Sequence, residues 1–145
     1  MDLNFGTEYK DFTNEVKDFC KKYSGIHFSD SSKVPLSGSY KSGEIQMKRS
    51  EWQQILIEKG YFARSIPKEY GGYGGESDII KSRIIAEEFA KAKIPPPMGG
   101  QGIDMLVPTL LELGTKEQKE KYVQPTLLGV IIWCQGYSDP NAGSV

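Results

Sequence analysis

The sequence predicts an all-α fold: an antiparallel helical bundle of roughly four to six helices, with a short extended or β segment at the C-terminus. Three observations carry that prediction. Apolar residues recur at spacings of three and four through several segments, Gly, Pro and Ser/Thr punctuation separates those segments, and no strand-like run comes before residue 130.

From Thr7 to Tyr23, the residues Tyr9, Phe12, Val16, Phe19, Cys20 and Tyr23 share one helical face, while Lys10, Asp11, Lys17, Asp18 and Lys21 fill the other. Ser24 to Gly43 has no sustained period and reads as a long surface loop. A second helix begins near Ser50, whose hydroxyl is suited to capping, carries Trp52, Ile55, Leu56 and Lys59, and ends at Gly60 as a left-handed residue. Phe62 to Tyr70 then reads as extended and leads into the glycine run Gly71 to Gly75.

A third helix, about Ser77 to Lys91, places Ile80, Ile84 and Ala90 with Glu87 or Glu88 at helical spacing, and Pro95, Pro96 and Pro97 stop it. Ile103 to Leu113 offers an apolar stripe of Leu106, Leu110 and Leu113, with Pro108 bending the helix or sitting in its first turn and Gly114 closing it. Thr115 and Gln118 have capping-box spacing, so another short helix starts there and ends near Pro125. Val130 to Trp133 is a short apolar run that leads into a Pro-Asn-Ala-Gly-Ser turn.

At 145 residues the chain suits one domain that buries about two thirds of its unfolded surface, without help from a metal or a disulfide. With 26% charged residues and a formal net charge of −1, it has no basic stripe, so neither nucleic acid nor an anionic membrane is the expected partner. Cys20 and Cys134 lie far apart and fit reduced thiols. The start, Met-Asp-Leu-Asn-Phe, has no signal-peptide pattern and no segment has the length of a membrane span, so a cytoplasmic location is expected.

Most chemistry-bearing residues have a plainer reading. Gly71 to Gly75 before a helix suggests a phosphate cradle, but no strand precedes it and no Lys-Ser/Thr pair follows, which favours a structural loop. His27 has no metal-ligand spacing around it and reads as a solvated loop residue. Glu87 and Glu88 point in different directions and read as an ion pair or solvated edge, and neither cysteine has an activating His. No catalytic residue and no metal site is therefore nominated. Gln135, Tyr137, Ser138 and Ser144 offer hydrogen bonds at a strand end, where a ligand's polar ring edge and a simple capped turn are equally good readings.

Four motifs in order, Ile66-Pro-Lys-Glu-Tyr-Gly-Gly72, Gly102-Ile-Asp-Met-Leu-Val-Pro-Thr109, Gly114-Thr-Lys-Glu-Gln-Lys119 with Tyr122, and Trp133-Cys-Gln-Gly-Tyr-Ser-Asp-Pro-Asn-Ala-Gly-Ser144, closely resemble the flavin-dependent acyl-CoA dehydrogenase family. The resemblance implies an N-terminal helical domain over residues 1–129 and, over 130–145, the start of a middle β domain. It also implies FAD as cofactor, held in part by Gln135, Tyr137, Ser138 and Ser144, and an acyl-CoA substrate reached by Ser144, with Met105 and Leu106 in the acyl wall. Desaturation of the thioester, giving a trans-2-enoyl-CoA, is the implied reaction, and a homo-oligomer or a second chain carrying the missing domains is the implied partner. Val145 stands where the family usually has an acidic residue after Gly-Ser, and Val130 where an acidic residue often follows Gly, so a truncated member, inactive alone, is expected. The alternative is a stand-alone helical module or small subunit that pairs with a chain supplying flavin and base.

Overall fold

The computed structural model describes residues 7–29 and 45–136. Five helices dominate: α1 (Thr7–Lys22), α2 (Arg49–Glu58), α3 (Ile79–Ala92), α4 (Val107–Leu113) and α5 (Lys116–Leu127), with a 3₁₀ turn at Lys68–Tyr70 and a π-helical turn at Gly102–Leu106. Two short strands, β1 (Ile26–Phe28) and β2 (Ile45–Met47), pair in parallel, Ile26 opposite Ile45 and Phe28 opposite Met47. This corrects the expectation of a loop from Ser24 and of no strand before residue 130. Three-residue strands are too short to leave a period in the sequence, and tertiary contact decides them: Ile26 is buried against the main core, and Phe28 and Met47 pack on it.

The helices pack around two cores. In the first, α1 and α3 bring Phe19 and Phe89 together with Trp52 of α2 and Tyr61. Phe19 stacks on Phe89 at 5.9 Å between centroids and meets Tyr61 edge-on at 5.0 Å. In the second, Ile57 of α2, Val107 of α4 and Val123 and Leu127 of α5 form a small aliphatic cluster. Both cores draw on α2, because its buried residues Trp52, Gln53, Leu56 and Ile57 span more than one face.

The helix ends differ from the sequence reading in instructive ways. At α2 the N-cap is Lys48, not Ser50, and the Lys48 N–H donates to the Glu51 carboxylate at 3.0 Å. Gly60 is left-handed as expected, at φ 71°. Residues 62–70 are not extended: Ala63 turns at φ 49°, and its carbonyl accepts from Ile66 and Tyr73. Asp78 caps α3 by accepting from the Lys81 N–H at 2.9 Å, and α3 stops at the left-handed Lys93, two residues before the prolines expected to stop it.

In α4 the fully buried residue is Val107, while Leu113 of the expected stripe is 78% exposed. The π turn shifts the phase of the helix just before Pro108, which occupies the first turn of α4, and the Val107 N–H reaches back to the Gly102 carbonyl. Gly114 closes α4 in extended rather than left-handed backbone. The capping box of α5 forms as expected, with Gln118 N–H to Thr115 Oγ1 at 3.2 Å and Thr115 N–H to Gln118 Oε1 at 2.9 Å. α5 ends at Leu127, near Pro125 as expected, and the Pro125 carbonyl accepts from Val130 and Ile131 as the chain turns away at Gly129, φ 70°. No strand is formed over residues 130–136 among the described residues. The expected β segment over residues 137–145 lies outside them.

Candidate active-site cleft at the end of the helical domain

The residues after α5 turn back over the π turn and form a cleft with it. Its anchor is Trp133, whose indole meets the Tyr122 ring edge-on at 5.5 Å and whose Nε1–H donates to Thr126 Oγ1 at 2.9 Å. Thr126 is buried, and its hydroxyl donates in turn to the Tyr122 carbonyl. Gly102 makes room for the indole: a Cβ there would lie 2.6 Å from Trp133 Cδ1 and 2.9 Å from Thr126 Cγ2.

Beyond Trp133 the cleft encloses about 250 Å³, lined by Gln101, Met105, Leu106, Thr109, Trp133, Cys134 and Gln135. Three residues nominated from the sequence, Met105, Leu106 and Gln135, thus meet in one place. Gln135 is tied to the wall on both sides of its amide: Gln101 Nε2 donates to its Oε1 at 2.9 Å, and its Nε2 faces the Met105 sulfur at 3.7 Å. Tyr137, Ser138 and Ser144 lie outside the described residues.

Gln101 and Thr109 were missed in the sequence, yet they sit four residues to either side of Met105, the spacing that puts side chains on one face. Among the described residues the lining carries no charged side chain. Asp104 is turned toward the preceding loop, where its carboxylate accepts from the Gly100 N–H at 2.9 Å.

The family model for the acyl-CoA dehydrogenase N-terminal domain matches residues 7–129. The chain belongs to the acyl-CoA dehydrogenase family. "Acyl-CoA dehydrogenase IpdE1" of Mycolicibacterium smegmatis is 37% identical over 109 residues, covering 75% of this chain and 27% of that protein. A solved structure of the ChsE4-ChsE5 complex from Mycobacterium tuberculosis shares the fold at a TM-score of 0.56 and 24% identity, over 99% of this chain and 33% of that one. A variant of the steroid ACAD Tcur3481-Tcur3483 matches at a TM-score of 0.52 and 25% identity, over 94% of this chain and 33% of that one. The chain spans about a quarter to a third of the length of these relatives.

The remaining candidates in this acyl-CoA dehydrogenase domain are structural. The N–H groups of Gly71, Gly72, Tyr73, Gly74 and Gly75 all donate to carbonyls between Ala63 and Lys68, so the glycine run has no free donors to offer a phosphate. A Cβ at Gly72 would lie 2.2 Å from the Ile66 carbonyl oxygen, which gives the glycines a packing reason. His27 is exposed on β1 rather than in a loop. Glu87 pairs with Arg83 at 2.8 Å, and that bond holds its carboxyl below the usual range. Glu88 is buried and pairs with Lys91 at 2.7 Å, which raises the lysine.

Cys20 is buried and Cys134 exposed, and both are free thiols. Burial, with Glu88 nearby, pushes the Cys20 thiol up. Among the described residues no group of His, Cys, Asp and Glu is placed to hold a metal, and no helix is long and apolar enough to cross a membrane.

Proposed function

We propose that this chain is the N-terminal part of an FAD-dependent acyl-CoA dehydrogenase that desaturates an acyl-CoA thioester between its α and β carbons. The observation that carries this reading is the meeting of Met105, Leu106 and Gln135 in one cleft beside Trp133, at the point where the family match ends. The lining is chemically suited to the edge of a flavin and an acyl chain: the amides of Gln101 and Gln135 and the Thr109 hydroxyl are neutral donors and acceptors, and Met105, Leu106 and Trp133 are apolar walls. Bound flavin would supply the acceptor for the hydride that leaves the β carbon.

The residues of this chain would bind and orient. Gln135, with Tyr137, Ser138 and Ser144 after it, would present hydrogen bonds to the ring edge, Ser144 would also reach the substrate, and Met105 and Leu106 would pack on the acyl chain and keep water away from it. A base for the α proton must lie within hydrogen-bond reach; among the described residues no carboxylate lines the cleft, and in this reading further polypeptide would supply the base. Residues 130–145 would then open the middle β domain, and the whole would work in the cytoplasm as a homo-oligomer or with a second chain.

A second reading, a helical subunit that docks on a separate flavin-bearing chain, is favoured by apolar side chains left in the open around the cleft: Val130 is 68% exposed, Ile132 83% and Met105 52%. The name of one solved relative, Tcur3481-Tcur3483, joins two proteins, which is consistent with such pairing. Titrating the purified chain with FAD and following visible absorbance and native mass tests both readings. A stoichiometric yellow complex supports the flavin site. A colourless chain that binds neither FAD nor a copy of itself would overturn that site and leave the subunit reading.

A further inference from the structure

The terminal segment needs a fixed path if it is to present donors to any ring, and residues 134–136 carry few contacts of their own. Cys134, Gln135 and Gly136 are all exposed, and a Cβ at Gly136 would meet nothing within 4 Å. Beside the two exposed contacts of the Gln135 amide, the buried anchorage among the described residues lies one residue upstream. The Trp133 indole rests on three residues from two elements: Tyr122 and Thr126 on α5, and Gly102 at the start of the π turn. The Thr126 hydroxyl is used in both senses, donating to the Tyr122 carbonyl of its own helix and accepting from the indole, so α5 orients the acceptor that Trp133 uses.

We propose that Trp133, seated on Tyr122, Thr126 and Gly102, is the positioning residue that fixes the course of residues 134–136 across the cleft. Trp133 and Gln135, two residues apart, grip α5 and the π turn respectively, and the exposed Cys134 lies between them. With the indole released, the described residues would leave the segment held near the cleft by the Gln135 amide alone, through its bond from Gln101 and its contact with the Met105 sulfur, all between exposed side chains. A buried seat with a directional hydrogen bond is the kind of support that holds a binding group within the tolerance a ligand needs. The link to flavin rests on the function proposed above, whereas the positioning itself does not.

The two tryptophans make the test direct. Trp52 and Trp133 give the only two indole N–H signals in a ¹H–¹⁵N spectrum of the full chain, and Trp52, buried in the first core with its Nε1–H on the Pro95 carbonyl, reports whether the fold is intact. In Thr126→Val and in Gly102→Ala we expect the Trp133 indole signal to shift and its exchange with solvent to quicken by about tenfold or more, the amides of 134–136 to move with it, and the Trp52 signal to stay in place. Thr126→Ser keeps the hydroxyl and should restore the wild-type positions.

The proposal is overturned if the Trp133 indole is released while the amides of 134–136 stay where they were, or if the wild-type indole already exchanges as fast as free tryptophan. FAD titration of the same variants separates the two layers. A loss of affinity that tracks release of the indole ties the seat to flavin, whereas a wild-type chain without FAD affinity sinks the flavin reading and leaves the amide result to decide the positioning.

Discussion

The two cores differ in what they are made of and in what they carry. The first is centred on aromatic rings and joins distant parts of the chain, with Trp52, Tyr61 and Phe89 each in ring contact with Phe19 and no residue of the cleft among its members. The second is aliphatic and small, built on two short helices, and its neighbours Gly102, Tyr122 and Thr126 seat the terminal segment. The cleft is thus built on the thinner half, and the thicker half supplies the platform. Gln53 joins them: fully buried, its Nε2 donates to the Leu127 carbonyl at 2.8 Å and its Oε1 accepts from the Met98 N–H at 2.8 Å.

Four substitutions would break or sharpen this division. Phe19→Ala removes the ring that meets Tyr23, Trp52, Tyr61 and Phe89 and should cost about 4 kcal/mol, lowering the urea midpoint of the whole chain. Leu127→Ala should cost about 3 kcal/mol, and if the halves differ as described, amide exchange will quicken chiefly in α4 and α5. An equal rise in α1 and α3 would mean that the halves unfold as one. Gln53→Leu keeps the volume but leaves a buried carbonyl and N–H without partners, costing about 2 kcal/mol, with faster exchange at both Met98 and Leu128 to Ile131. Thr115→Ala removes the cap of α5 and should cost about 1 kcal/mol, visible as fraying at Lys116 to Gln118 with the aromatic half unchanged.

Much of the architecture was legible because it rests on local rules. The α1 face of Val16, Phe19 and Cys20, the left-handed Gly60 and the Thr115–Gln118 capping box are set by spacing and by residue type within a few positions. The misses share one cause. The parallel pairing of Ile26–Phe28 with Ile45–Met47 and the phase shift that buries Val107 instead of Leu113 both depend on what another element offers, and no local pattern records that.

The site divides in the same way. Met105, Leu106 and Gln135 came from motif resemblance, and Gln101 and Thr109 follow from four-residue spacing once the helix is placed. By itself the sequence determined the helices, the Thr115–Gln118 cap and the family, because periodicity, capping-box spacing and motif order are properties of neighbouring residues. Only the tertiary structure decided that Trp133 sits on Thr126 and Gly102 and so brings Gln135 to Met105, because a contact between residues thirty apart exists only after the elements between them have packed.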